Sequence, residues 1–70
     1  MDLTTEESAA VRIKLEILKS EHRDLDEIIV RLSRDPGLDE LQLRRLKRRK
    51  LLLKDQITQL EGQLVPDIPA

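Results

Sequence analysis

The chain has 70 residues, with 13 Lys and Arg against 14 Asp and Glu, which leaves a net charge of −1 at pH 7. Phe, Tyr, Trp and Cys are all absent, which excludes base stacking on aromatic side chains, disulfides and thiolate metal sites. The balanced charge gives no global attraction to nucleic acid or to an anionic membrane. A membrane-spanning helix needs about 20 apolar residues in a row, and no apolar run in this sequence comes close to that length. The first residues lack the basic and then apolar order of a signal peptide. We therefore expect one small, soluble, cytoplasmic domain over residues 1–70.

Helix one is predicted at about 5–34, because Thr4 and Glu7 have the spacing of a capping box at its start. Pro36 disfavours helix in the residue before it, and Gly37 tolerates the positive φ of a tight turn. The turn is therefore predicted at 35–38.

Helix two is predicted at about 39–64, with Asp39 as its N-cap. Gly62 and then Pro66 are expected to end it. A short Pro-rich tail, 65–70, follows.

The apolar residues of both helices recur at alternating steps of three and four. The two series are Val11, Leu15, Leu18, His22, Leu25, Ile29, Leu32 and Leu43, Leu46, Lys50, Leu53, Ile57, Leu60, Leu64. Folded about the turn, they pair in layers whose residue numbers sum to 75, as Leu18 does with Ile57. This mirrored period predicts an all-α fold, an antiparallel two-helix hairpin with a coiled-coil-like seam.

Charged residues flank this seam. Asp26 is expected beside Lys47, and Arg12 beside Glu61, whereas Lys19 opposite Lys54 is a mismatch. The mismatch matters little, because exposed ion pairs contribute only about 0–1 kcal/mol.

Two half-motifs lie on either side of the turn. They are Glu21-His22-Arg23-x-Leu25-Asp26-x-x-Ile29 and Leu46-Lys47-x-x-Lys50-Leu51-x-Leu53-Lys54-Asp55-x-Ile57. Together they resemble the YdcH-like family of small bacterial helical-hairpin proteins, a domain of unknown function, over roughly residues 15–61. The resemblance implies a two-helix fold, a bacterial source and an unassigned role, and it supplies no active site.

Two polar residues, His22 and Lys50, interrupt the apolar series. One interpretation is a small acid–base or ligand site; the other is a polar layer that specifies register and partner number. The second is favoured, because a lone imidazole between two helices has no enclosed pocket. The predicted polar seam layer comprises His22, Lys50, Glu21, Asp26 and Lys47.

Catalytic chemistry is not expected. One His without Cys argues against a metal site inside the hairpin, and the chain lacks a nucleophile–base pair and a phosphate loop. We predict no enzyme, no catalytic, metal-binding or cofactor-binding residue, and no small-molecule substrate.

A basic run occupies the first half of helix two, with six Lys or Arg in residues 44–50. It can be an anion-binding patch or a solvated face whose charge is answered by acidic residues of helix one. Residues 1–37 carry −3 (6 basic, 9 acidic) and residues 38–70 carry +2 (7 basic, 5 acidic), which favours the second interpretation. The patch, if it binds anions, comprises Arg44, Arg45, Arg48, Arg49 and Lys54.

Several apolar residues lie off the seam, with Ile28 at a flank, and would be exposed to solvent in a single hairpin. Because a two-helix core of this size is marginal, they predict association, either of two copies into a four-helix bundle or with an unidentified protein. The predicted association face comprises Ala10, Ile13, Ile17, Leu51 and Leu52. The expected function is a non-catalytic helical interaction or structural module, and the alternative is weak binding of nucleic acid or an anionic surface through 44–54.

Overall fold

Two long α-helices, α1 (Thr5–Leu32) and α2 (Glu40–Leu64), make up most of the computed structural model, which describes residues 3–64. They lie side by side and antiparallel, so the predicted all-α hairpin is confirmed. The extents of 50 × 26 × 14 Å are those of a layer one helix thick. The predicted tail 65–70 lies outside the described residues.

Helix α1 begins after Thr4, whose hydroxyl accepts a hydrogen bond from the N–H of Glu7 at 3.1 Å. This is the predicted cap, which satisfies one of the backbone donors left free at a helix start. The same hydroxyl donates to the Glu7 carboxylate at 3.0 Å. In the standard capping box that carboxylate would instead accept from the backbone N–H of the cap residue.

Helix α1 ends at Leu32, two residues earlier than predicted. The N–H groups of Arg34 and Asp35 bond to carbonyls three residues back rather than four, a tightening common in the last turn of a helix. Ser33 adds a hydrogen bond from its hydroxyl to the carbonyl of Val30 at 2.8 Å. The helix thus ends before it reaches Pro36.

The loop between the helices is shaped by a carboxylate. Asp35 Oδ1 accepts from the N–H of Gly37 at 2.9 Å, which is an Asx turn. Among residues 3–64 no glycine has a positive φ, so the turn does not use the conformation that Gly37 would tolerate. The Asp35 side chain closes the turn at an ordinary backbone conformation.

Helix α2 begins at Glu40, with Asp39 in the capping position predicted for it. Its carboxylate accepts from the N–H groups of Leu41 at 3.0 Å and Gln42 at 3.4 Å. At the other end α2 runs through Gly62 to Leu64. A glycine inside a helix weakens it by roughly 1 kcal/mol and need not end it.

The core lies in the seam between the helices, and its outer part is the better packed. Leu15, Leu18 and Ile57 form a buried cluster. Half-buried apolar residues pack against this cluster; they are Val11, Leu53, Leu60 and Leu64. The cluster contains the residues of the three predicted outer layers, from Val11 and Leu64 to Leu18 and Ile57, together with Leu53. Leu25 and Ile29 continue the buried line of α1 toward the turn.

Candidate functional site

Lys50, one of the two polar residues in the seam, reaches outward to helix α1. Its Nζ donates a hydrogen bond to Asp26 Oδ1 at 2.8 Å, and the two side chains are 30% and 51% exposed. A long Lys side chain can lay its methylene groups against apolar neighbours while its ammonium group stays in water. Asp26, which the sequence placed beside Lys47, therefore forms its ion pair with Lys50 instead.

The contact changes the acidity of Asp26. The hydrogen bond from Lys50, and then the positive charge of its ammonium group, hold the pKa of the Asp26 carboxyl below its ordinary value. His22 adds a smaller lowering, and partial desolvation opposes it. The carboxylate is thus the stable form of Asp26 in the folded hairpin.

His22, the other polar seam residue, is half-buried at the edge of a groove between the helices. Further along this side of the hairpin, Lys19 Nζ lies 3.7 Å from Glu61 Oε2. Arg12 lines the same side, as predicted for a neighbour of Glu61, but the ion pair is made by Lys19. We name this side the ion-paired face; it is lined by Arg12, Glu16, Lys19, His22, Arg23, Asp26, Lys54 and Glu61.

The opposite side of the hairpin has a different character. A groove there is lined by Glu21, Leu25, Arg49 and Leu53. Among residues 3–64 neither ion pair involves a residue of this side, and we name it the unpaired face. It is lined by Lys14, Glu21, Asp24, Ile28, Arg49, Gln56, Gln59 and Gln63.

The structure thus divides the predicted polar seam layer. Lys50 and Asp26 are in contact, and His22 shares a groove with Asp26. Glu21 lies on the unpaired face, and Lys47 is exposed and outside both ion pairs. Over the part of the chain that is described, no three His, Asp or Glu side chains are close enough to hold a metal ion. What the contacting groups can do is hold the two helices in one register.

The basic run does not form one patch. Its five predicted residues are exposed, but Arg49 lines the unpaired face and Lys54 the ion-paired face. Arg44 and Arg48 are one turn apart and point away from α1, because successive helical residues are rotated by about 100°. In the described part of the chain none of these Arg side chains is ion-paired with α1. The acidic residues of α1 that were expected to balance the basic run therefore do so without direct contact with these Arg side chains.

The apolar residues predicted to form an association face are all exposed, among them Ile13 and Leu51 at 64%. They do not share one side of the hairpin, because neighbours such as Leu51 and Leu52 differ in direction by about 100°. Ile17 and Ile28, three turns apart, point to nearly the same side of α1, and Ile28 lines the unpaired face. Further exposed apolar residues not predicted from the sequence are Val30 and Leu41.

Residues 15–61 match the model of a protein family described as a protein of unknown function (DUF465). The chain belongs to this family. The resemblance to YdcH-like proteins, drawn from the two half-motifs, is confirmed with it. No curated protein and no solved structure matches the chain.

The region shared with the family holds most of the candidate features. Both ion pairs and the basic run lie within residues 15–61. Of the five residues of the predicted association face, Ile17, Leu51 and Leu52 lie within this range, whereas Ala10 and Ile13 precede it. Neither helix of the described chain is long and apolar enough to cross a membrane.

Proposed function

We propose that this family member is a non-catalytic helical interaction module, which acts in the cytoplasm through protein–protein contacts. The observation that carries the proposal is the distribution of apolar side chains. Five apolar residues are buried in the seam, whereas seven large ones are at least 43% exposed within the described residues. Seven large apolar side chains therefore face water outside the seam, and an exposed apolar surface of this kind is typical of one that meets another protein.

The thinness of the hairpin explains why such a surface is useful. In a layer one helix thick, each helix covers only one side of its neighbour. Burying one Leu or Ile side chain completely contributes about 1.5–3 kcal/mol. A partner helix laid against either face would thus add stabilisation that the hairpin cannot supply itself.

The polar groups support a module without chemistry of its own. The ammonium group of Lys50 and the carboxylate of Asp26 satisfy one another, and both side chains are reached by water. Substrate sites usually enclose most of the ligand and hold perturbed groups away from solvent. This pair is better suited to holding the helices in register.

The test is affinity capture from an extract of the source cells after nuclease treatment. The bait is the unmodified chain, and the comparison bait carries Ile17→Gln and Leu52→Gln, at positions 54% and 56% exposed. Because both residues are exposed, the fold should be retained, which circular dichroism checks. We expect proteins that are retained by the unmodified chain and lost with the variant. Retention that is equal for both baits would contradict the proposal.

A second candidate function is binding of nucleic acid or an anionic surface through the basic run. It is favoured by one observation: Arg44, Arg45, Arg48 and Arg49 are exposed and, among residues 3–64, not ion-paired. Because these side chains project around most of α2, we expect only nonspecific affinity for duplex DNA, about 10⁻⁴–10⁻⁶ M, that collapses with salt. Submicromolar binding at physiological salt, lost when the four Arg are replaced by Ala, would make this the leading function.

A further inference from the structure

We propose that a second copy of this chain docks on the unpaired face, so that two hairpins form a four-helix bundle with α1 of one copy against α2 of the other. The inference rests on the proposed function, since it names the chain itself as a partner for the exposed apolar side chains. It also selects one of the two faces and one arrangement of the helices.

The ion pairs decide between the faces. Lys19–Glu61 and Lys50–Asp26 both lie on the ion-paired face, where opposite charges from the two helices meet within one chain. On the unpaired face Glu21, Asp24 and Arg49 line one groove, yet in the described residues none of them has an ion-pair partner. Their charges are therefore available to another molecule.

Apolar side chains surround the same groove. Leu25, Ile28 and Leu53 belong to its lining. Ile17 points to the same side of α1 as Ile28, and Leu52 follows Arg49 by about one turn on α2. Ile17, Ile28 and Leu52 are 54%, 45% and 56% exposed. The groove thus has an apolar margin that a flat partner surface can cover.

The charges on this face are complementary to themselves. Its α1 side is acidic at the centre, with Glu21 and Asp24, and its α2 side is basic, with Arg49 and with Arg45 one turn before it. At the centre of the face each half has one sign, whereas Lys14 lies nearer the outer end beside Gln residues of α2. Such a centre fits a copy of itself, as the closed two-fold symmetry of most homodimers requires. A second copy of the chain can therefore pair the charges of this face without any other protein.

The same charges select the direction of the two-fold axis. An axis parallel to the helices lays α1 on α2 of the other copy, acidic on basic, and makes all neighbouring helices antiparallel. An axis across the helices would lay α1 on α1 and bring Glu21 and Asp24 toward their own copies. Like charges in contact oppose association, so the first arrangement is the one proposed.

The face is large enough. The hairpin measures 50 Å by 26 Å in the plane of its two helices. A stable interface buries about 800 Å² per partner, which is less than the area of a rectangle of that size.

The first experiment measures the mass of the unmodified full chain by sedimentation equilibrium from tens to hundreds of micromolar. We expect a dimer, and we expect Ile17→Gln with Ile28→Gln and Leu52→Gln to raise its dissociation constant by about tenfold or more. The matched control is Val30→Gln with Leu51→Gln, which removes side chains that are 43% and 64% exposed but lie off the unpaired face. A monomer throughout the range, or equal weakening by both variants, overturns the inference.

The second experiment tests the arrangement by reversing charges. Glu21→Arg should weaken the dimer because it sets Arg against Arg49 of the other copy, and adding Arg49→Glu in the same chain should restore it. In the α1-on-α1 arrangement the double variant would not be restored, and that result would overturn the proposal. Thermal denaturation of each variant separates loss of association from loss of folding.

The two proposals can fail separately. A monomeric chain whose Ile17→Gln, Leu52→Gln variant still loses captured proteins would end the self-association inference and leave the interaction module standing. If the chain is a monomer and both baits retain the same proteins in the capture experiment, both proposals are overturned.

Discussion

A lysine in an apolar seam is tolerated only if its ammonium group reaches water or a carboxylate. Lys50 occupies a seam position on α2, and its ammonium group leaves the seam to meet Asp26 at the flank. Such a residue fits one register well and others poorly, because a shifted partner would bury the charge. We interpret Lys50 as a residue that gives up stability for specificity.

Replacing Lys50 with Leu should therefore stabilise the hairpin. The change completes the apolar seam, and we expect the free energy of unfolding to rise by about 1–2 kcal/mol, as when packed apolar residues replace polar groups between helices. Discrimination among registers and oligomers should fall at the same time. The measurements are thermal denaturation and sedimentation.

The control for this prediction is Lys47→Leu, the same substitution at an exposed position off the seam. Its effect should stay within about 0.5 kcal/mol. If Lys50→Leu instead unfolds the chain, the ammonium group makes contacts that the hairpin requires, and the specificity interpretation is wrong.

The lowered pKa of Asp26 makes stability depend on pH in a defined direction. The carboxyl is less acidic in the unfolded chain, with a pKa of about 3.9. The stabilisation is therefore complete above that value and is lost as pH falls through the lower pKa of the folded state. Urea denaturation between about pH 5 and about pH 3 should show a smaller loss for Asp26→Asn than for the unmodified chain, since Asn does not titrate. Equal losses would show that the contact with Lys50 contributes nothing to folding.

At the scale of the helices, side-chain caps determine where each one begins. Thr4 and Asp39 precede the two helices, and each accepts hydrogen bonds from backbone N–H groups of the first turn. These bonds involve residues at most three apart in sequence, which is why both positions could be predicted. The end of α1 was less predictable, because the tightened bonds after Leu32 have no distinct sequence pattern.

Removing the Asp39 cap should weaken the hairpin at its turn. Asp39→Ala leaves the N–H groups of Leu41 and Gln42 without their present acceptor, and we expect a loss of about 1 kcal/mol in the free energy of unfolding. Asp39→Asn keeps an acceptor oxygen and should recover most of that loss. Urea denaturation followed by circular dichroism measures both, and an Asn variant as weak as the Ala variant would contradict capping as the cause.

At the scale of the whole molecule, few side chains hold the two helices together. Ile57 is 3% exposed and Leu15 is 4% exposed, and these two with Leu18 form the buried cluster at the outer end of the seam. Toward the turn, Leu43 and Leu46 are only half-buried. Leu25 and Ile29 of α1 are buried there, whereas Ile57 is the one buried residue of α2 within Glu40–Leu64.

Truncating Ile57 should thus be among the most damaging single changes. Removal of a buried Ile side chain to Ala destabilises by about 2–5 kcal/mol, and the milder Ile57→Val by about 0.5–1.5 kcal/mol. Leu51→Ala, at a position 64% exposed, is the control and should change stability by no more than about 0.5 kcal/mol. Comparable losses at both positions would mean that Leu51 is buried in solution by another molecule, whereas tolerance of Ile57→Ala would contradict the observed core.

The candidate surfaces were predictable only in part. The exposure of Ile17 and Leu52 follows from their absence from the seam series, and Ile28 was expected at a flank. Exposed Leu41 and Val30 were not identified from the sequence. The Lys19–Glu61 pair was missed because register alone set Lys19 opposite Lys54. The signal was present in the flanking position of Glu61, one turn beyond Ile57.

By itself the sequence determined the two helices, their caps and the apolar residues of the seam. Capping depends on short segments, and the period of one helix mirrors that of the other about the turn at 35–38. Only the tertiary structure decided which charges meet across the hairpin. Long Lys side chains can each reach several carboxylates, and the choice depends on how the helices are rotated about their axes. With the helices rotated as they are, Asp26 pairs with Lys50 and Glu61 pairs with Lys19. Glu21 and Arg49 lie together on the unpaired face.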